Sequence, residues 1–427
     1  MSGMPPVNQM TGPSDYRGLV IGAVLAAALS TSSILMLGFG MAGSSGNSVL
    51  TGALLLGSLL SIGIVCFRRR ITLAAVDYLY LAFVATVLLS FLLNGGSSNA
   101  KEGLLLAISL AAYPAGRLVT GADLAVIKPS FLFSIGLIVA LGTAATAIAL
   151  VQQWDHQHGK PIVFGFDASD AAPGNFLQSL SLLILAAVTM FHLTARKTLL
   201  ISVLIFLPIA IFAASLVRFT FIALAGGLFV ALVFAGARQR KHVFTIGLVI
   251  FVATATGLAA RYAKARIFAD FALEKTTGVI TWQRPPSCDL VINPNNSIAI
   301  RKALTLDAFY LIPRAGPVGT GLDSFMDFSC IKNTEVHNSF LQTGVEFGWA
   351  GGILLVLAVI LVWRSIAPLA RHGGAPLFVL CSLSFAILLS MAHGRISRDL
   401  IFFVLLGIAG GVVESTRLPS LIRPGDR

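Results

Sequence analysis

The feature that most constrains this chain is a succession of apolar runs, each close to the roughly 20 residues that an α-helix needs to cross about 30 Å of hydrocarbon. They start near Gly18, Val49, Ile71, Phe131, Phe176, Thr198, Phe219, Val243, Trp349, Gly374 and Leu400, and a weaker twelfth runs from Leu104 to Ala115. The runs lack the period-two alternation of lipid-facing strands, so the predicted fold class is all-α, a polytopic membrane helical bundle of about twelve transmembrane helices. Composition agrees. With 56% hydrophobic and 11% charged residues and a mean hydropathy of +0.88, the chain has too little polar surface to cover a soluble domain.

A formal charge of +12 would suggest a nucleic-acid partner in a soluble protein. Here the basic residues fall mostly in short connections between apolar runs, the pattern of cytoplasmic loops, and no nucleic acid is implied. A cytoplasmic N-terminus puts Arg68, Arg69 and Arg70 inside, then Arg117 with Lys128, Arg196 with Lys197, and the cluster Arg238, Arg240 and Lys241. Arg364, Arg371 and a tail with Arg417, Arg423 and Arg427 follow on the same side. The connections 41–48, 94–103, 152–174, 261–348 and 393–399 then face outward. Dropping the weak span would strand the Arg238 cluster outside, so charge itself supports twelve spans. The polar stretch Met1–Asp15 and the length of the first run predict no cleaved signal peptide. The chain divides into a cytoplasmic tail (1–17), spans one to nine (18–260), an outer segment (261–348), spans ten to twelve (349–414) and a second cytoplasmic tail (415–427).

Residues 261–348 are too many for a structureless connection. A helical stretch from Asn296 to Tyr310 lies between turn-rich Pro285-Pro286 and Pro317 to Gly321, which predicts a small helical cap between spans nine and ten. Cys288 and Cys330 both fall there, to be bridged in an oxidising compartment or left as free thiols; Cys66 and Cys381 sit in apolar runs as packing residues. The two halves of the chain show no repeat and the span centres are mostly apolar, which speaks against a secondary transporter.

The densest polar constellation is Glu335, His337, Asn338, Gln342 and Glu346, where helical spacing predicts His337, Leu341 and Gln342 near one face. Histidine at a membrane surface is suited to accept a proton from a hydroxyl near neutral pH, although a loop histidine also serves structure. Arg218 interrupts an apolar stretch, either to snorkel to the interface or to hold an anion on the outer side. Further cations in the outer segment are Arg261, Lys264, Arg266, Lys275, Arg284, Arg301, Lys302, Arg314 and Lys332. Long loops escape the positive-inside rule, but such residues could also hold an anionic lipid head group, and Arg301 and Arg314 flank the helical stretch. Zinc-type spacing, phosphate-binding loops and dinucleotide fingerprints are absent. His156 with His158 near Asp155 is at best a weak metal site, and the acidic pairs Asp323 with Asp327 and Asp167 with Asp170 stay open. A metal-independent chemistry fits better.

The stretch Arg301-Lys-Ala-Leu-Thr-Leu-Asp-Ala-Phe, then Gly316-Pro-Val-Gly-Thr-Gly, His337-Asn-Ser-Phe-Leu-Gln and Glu346-Phe-Gly-Trp-Ala-Gly resembles the O-antigen ligase and polymerase superfamily in order and spacing. Arg218 followed by Phe-Thr-Phe-Ile looks like the arginine that opens a span there. The resemblance implies a bacterial inner-membrane glycosyltransferase that needs no cofactor, nucleotide sugar or metal. It joins a glycan carried on undecaprenyl diphosphate to an acceptor hydroxyl at the periplasmic face. Carried onto this chain, His337 deprotonates the hydroxyl, Arg218 and Arg301 stabilise the leaving diphosphate, and Arg314, Asn338, Gln342 and Glu335 are candidate substrate-binding residues. The implied partners are the lipid-linked glycan donor, membrane lipid, and as acceptor either lipid A core, for a ligase, or a second lipid-linked glycan, for an O-antigen or exopolysaccharide polymerase. The short 152–174 connection favours the ligase slightly. A protein O-oligosaccharyltransferase follows.

Overall fold

The computed structural model describes residues 13–42, 48–67, 71–95, 99–155, 160–165, 171–273, 288, 296–332 and 334–421. Arg68 to Arg70, His156, His158, Asp167, Asp170, Lys275, Arg284, Pro285, Pro286, Arg423 and Arg427, named above, lie outside these. Among the described residues the chain is helical and has no strand. The first half runs α1 (Pro13–Leu29), α2 (Thr31–Ala42), α3 (Ser48–Val65), α4 (Ala75–Asn94), α5 (Ala100–Arg117), α6 (Gly121–Val126), α7 (Lys128–Gln152), α8 (Ala172–Met190) and α9 (Ala195–Ala214). The second runs α10 (Phe219–Phe234), α11 (Ala237–Ala260), α12 (Tyr262–Leu273), α13 (Ser297–Leu311), α14 (Phe325–Phe328), α15 (Ser339–Glu346), α16 (Gly348–Ala370), α17 (Gly374–His393) and, after a 3₁₀ turn at Ile396–Arg398, α18 (Leu400–Leu421).

Among the described residues eight helices, α3, α4, α7, α8, α9, α11, α16 and α17, are long and apolar enough to cross a membrane. A ninth is α1 with α2 if that pair, bent by 75°, is one span. The outward faces carry large apolar side chains in the open: Ile64 is 78% exposed, Phe133 75% and Phe251 70%. A water-facing surface does not carry rows of such residues, whereas hydrocarbon solvates them, so this is a multi-pass helical membrane protein. Two further apolar stretches, α10 and the Leu400–Thr416 part of α18, are shorter.

The weak span is a helix too, α5, and its low apolarity has a structural reason: its polar residues Glu102, Ser109 and Arg117 lie on the face that is buried against the bundle. It packs along α18 through a close backbone approach, since a Cβ at Gly116 would overlap the Val404 carbonyl and one at Gly407 the Tyr113 carbonyl. Small residues of this kind let membrane helices come together. That approach sets Arg117, 3% exposed, between Asp77 of α4 and Glu414 of α18. Arg117 donates from Nε and Nη2 to the two Asp77 oxygens, each at 2.7 Å, from Nη1 to Glu414 at 2.9 Å and from Nη2 to the Thr72 carbonyl at 3.1 Å. Tyr113 donates to Asp77 at 2.6 Å, and Thr72 donates to Glu414 from its amide and its hydroxyl. Arg117, placed in a short basic connection by sequence, is therefore the centre of a buried ionic staple.

The opposite end of the bundle gathers the C-termini of α4, α9 and α17 with the N-termini of α5, α10, α16 and α18. Over it lie α13 to α15, with a small core of their own: Leu304, Ala308, Leu311, Phe325, Val336 and Val345. Asn296 caps α13 by accepting from the Ala299 amide, so the helix predicted from Asn296 to Tyr310 occurs one residue on. Cys288 and Cys330 form a disulfide with Cα atoms 5.0 Å apart, tying the chain before α13 to the turn after α14.

Candidate functional site

Two segments that are remote in sequence put arginines side by side at this end. After α9 the chain turns sharply, with Leu216 buried in the left-handed region at φ 62°, and delivers Arg218 to the start of α10. Arg218 donates from Nη2 to Ser297 Oγ at 3.3 Å, which brings the first turn of α13 against it. One turn further along α13, Arg301 lies over the Phe219 ring at 3.9 Å, a contact worth about 0.5–2 kcal/mol. Arg301 also donates to the Ala392 carbonyl, and its Nη2 is 3.5 Å from His393 Nε2. Burial and neighbouring Arg218 push Arg301 down to about 10, since each disfavours a positive charge there. Burial also lowers Arg218. No carboxylate pairs with Arg301 among the described residues.

His337 completes the group. Its ring centroid is 6.2 Å from that of His393, and burial, then Arg301 and Arg395, hold its imidazole below its usual 6.5. It is thus neutral at neutral pH, and neither ring nitrogen has a hydrogen-bond partner among the described residues. The helix predicted to carry His337 beside Gln342 begins later, at Ser339: Asn338 is its cap, accepting from the amides of Phe340 and Leu341 at 3.1 Å. His337 precedes that cap with φ 53°, a conformation sparsely populated by non-glycine residues, so its direction is set by the chain on either side and not by helix periodicity. Leu216, Asp323 and His337, three of the four non-glycine residues with positive φ among those described, border this group or its supports.

Those supports occupy several predicted residues. Glu335 pairs with Arg395, which also meets Asp323 at 2.6 Å and Glu102 at 3.3 Å. Burial pushes the Glu335 carboxyl up against the pull of Arg395 and Arg398. Gln342, 2% exposed, donates to Glu346 at 3.1 Å and accepts from the Ile396 amide at 3.0 Å. Ser339 donates to Asp399, whose buried carboxyl is raised to about 6. Arg314 lies apart, in the turn three residues beyond the end of α13, exposed and stacked 3.5 Å over Tyr310; ten helical steps of about 1.5 Å already put the end of α13 about 15 Å from Arg301. Among the described residues, no three His, Cys, Asp or Glu side chains gather as metal ligands.

Lys160, His393 and Arg395 were not singled out by sequence. Burial, then the charges of Arg301, His337, Lys160 and Arg218, push the His393 imidazole down to about 3. The signal was there in His393-Gly-Arg-Ile-Ser-Arg-Asp399, a short connection holding a histidine and two arginines directly before a span.

No protein-family profile matches the sequence, and no curated protein matches it either.

Proposed function

We propose that this chain is a metal-independent glycosyltransferase of O-antigen ligase type, moving a glycan from undecaprenyl diphosphate to an acceptor hydroxyl at the periplasmic face of the inner membrane. The observation that carries it is the convergence of Arg218, Arg301 and His337, from three separate segments, into one group in which Arg301 meets no carboxylate among the described residues. A cationic pair beside a neutral imidazole suits a reaction in which a proton leaves a hydroxyl while charge grows on a diphosphate. His337 takes that proton as the hydroxyl oxygen bonds to the anomeric carbon. The bond from that carbon to the phosphate oxygen breaks, its electron pair stays on the diphosphate, and Arg218 and Arg301 hold the departing charge. The diphosphate is already a good leaving group, so positioning two lipid-borne substrates is most of the remaining work.

In this reading the bundle has twelve spans, counting α1 with α2 as one and including α5, α10 and α18. Both termini are cytoplasmic and residues 261–348 fold as a periplasmic cap. Helices at all twelve predicted positions and a disulfide in the outer segment support it. The test is transfer in vitro by the purified protein from undecaprenyl diphosphate-linked glycan to lipid A core or to a second lipid-linked unit. Glycan on lipid A core that depends on His337 identifies a ligase, and a ladder on the lipid carrier identifies a polymerase. Transfer undiminished in His337→Ala would remove the base, and no product with either acceptor would remove the proposal.

A further inference from the structure

A second histidine stands in the group, and its surroundings define what it can do. His393 ends α17 with its ring edge-on to Phe219 at 5.4 Å and 6.2 Å from His337. Its Nε2 faces Arg301 Nη2 at 3.5 Å. A guanidinium has donors only, so a nitrogen that meets it presents a lone pair, and the ring proton is left on Nδ1. That Nδ1–H has no partner among the described residues. The same is true of charge at Arg301, whose contacts are a backbone carbonyl, this imidazole and an aromatic face. An N–H donor beside a guanidinium that meets no carboxylate among the described residues is suited to binding an anionic oxygen.

Resting on the transfer reaction above, we infer that His393 is a second substrate-contacting residue, donating its Nδ1–H to an oxygen of the leaving diphosphate beside Arg301. The two histidines then divide the chemistry. His337 receives the proton of the attacking hydroxyl, whereas His393 keeps its own proton and stabilises the oxygen on which the electron pair of the broken bond comes to rest. Arg301 does double duty, since it fixes the tautomer that gives His393 a donor to offer. The 5.4 Å packing against Phe219 and the helix end at Gly394 restrict the ring, so the donor is oriented before substrate arrives.

The experiment is steady-state transfer from the lipid diphosphate-linked glycan by the full chain, across the neutral pH range, for wild type, His393→Phe, His393→Gln and His337→Gln. His393→Phe keeps the aromatic packing without a donor, and loss of one such donor lowers kcat by about 100-fold. His393→Gln retains an amide donor and an acceptor for Arg301, and should recover at least about tenfold of that loss. The KM for the donor should change little in either, because the contact strengthens in the transition state. The fall of kcat/KM at acid pH, which belongs to His337, should persist in both His393 variants. If His393→Phe fails to fold, His393→Leu carries the same expectation. Wild-type turnover in His393→Phe, equal damage in His393→Gln, a loss confined to KM, or disappearance of the acid limb would each overturn the assignment while transfer by wild type stands. No transfer by wild type would overturn the reaction and the assignment together.

Discussion

Replacing Arg395 by glutamine should damage both the stability of the outer segment and the rate, for one reason. Arg395 is 14% exposed in its side chain and meets three carboxylates: Glu102 from α5, at 1%, Asp323 from the turn before α14, and Glu335 from the irregular segment leading to His337. Arg398 also pairs with Glu102, and its charge reaches Glu335 as well. Removing one partner of a buried ion pair costs about 3–5 kcal/mol, because it leaves charge uncompensated. The partial exposure of Arg395 puts the loss near the lower limit, about 3 kcal/mol. Unfolding of the purified protein in detergent, monitored by circular dichroism, measures it. The double-mutant cycle of Arg395→Gln with Glu335→Gln should return a coupling above about 1 kcal/mol. Glu335 lies two residues before His337, so its release frees the backbone that holds the imidazole at φ 53°. A misplacement of about 1 Å costs on the order of 100-fold in rate, so kcat should fall by roughly 10- to 100-fold with little change in the KM for the donor. An Arg395→Gln variant that unfolds within about 0.5 kcal/mol of wild type and keeps its kcat would refute the clamp.

The Glu346 carboxyl, fully enclosed and accepting from Gln342 and from the amides of Asp323 and Phe325, is raised to about 8. A raised carboxyl favours the folded state while it is protonated, so its contribution is complete below the unfolded value of 4.5 and is lost as pH climbs through about 8. Glu346→Gln should therefore gain thermal stability relative to wild type as pH rises over that window, and a gap that is constant with pH would remove the explanation. Asp77→Asn strips Arg117 of its carboxylate at 2.7 Å and should lower stability by about 3 kcal/mol in the same unfolding measurement, with no effect on the KM for either substrate.

Helix existence was legible because apolar length is a property of sequence alone, and each of the twelve predicted positions holds a helix. The polarity of α5 was the difficulty: Glu102 and Arg117 face protein, not lipid, and hydropathy cannot tell an inward polar face from a loop. Arg117 looked like a loop cation for the same reason, its partners being 40 residues back at Asp77 and 297 ahead at Glu414. In the candidate site, residue types were legible and roles less so. Arg218, Arg301 and His337 come together. Asn338 and Gln342, adjacent in sequence to the same histidine, are taken up by a helix cap and a buried hydrogen-bond pair. What separates them is a backbone reversal at His337, a non-glycine residue in the left-handed region, and no side-chain periodicity announces that.

The segment 316–321 lies against the junction of α15 and α16 mainly through main chain, with the Thr320 hydroxyl donating to the Val345 carbonyl as well. Thr320 and Gly321 donate to the carbonyls of Val345 and Glu346, and Trp349 donates to that of Gly316. A Cβ at Gly319 would overlap the Glu346 carbonyl, and one at Gly348 the Pro317 carbonyl. Each glycine thus makes room for the backbone beside the other. Two positions bound in this way form a single hereditary unit: neither tolerates a side chain, and no second change nearby can make space, because the obstacle is carbonyl and not side chain. Distant kin in which lining residues have drifted beyond recognition should still be identifiable by this pair of glycines, one before α14 and one opening α16.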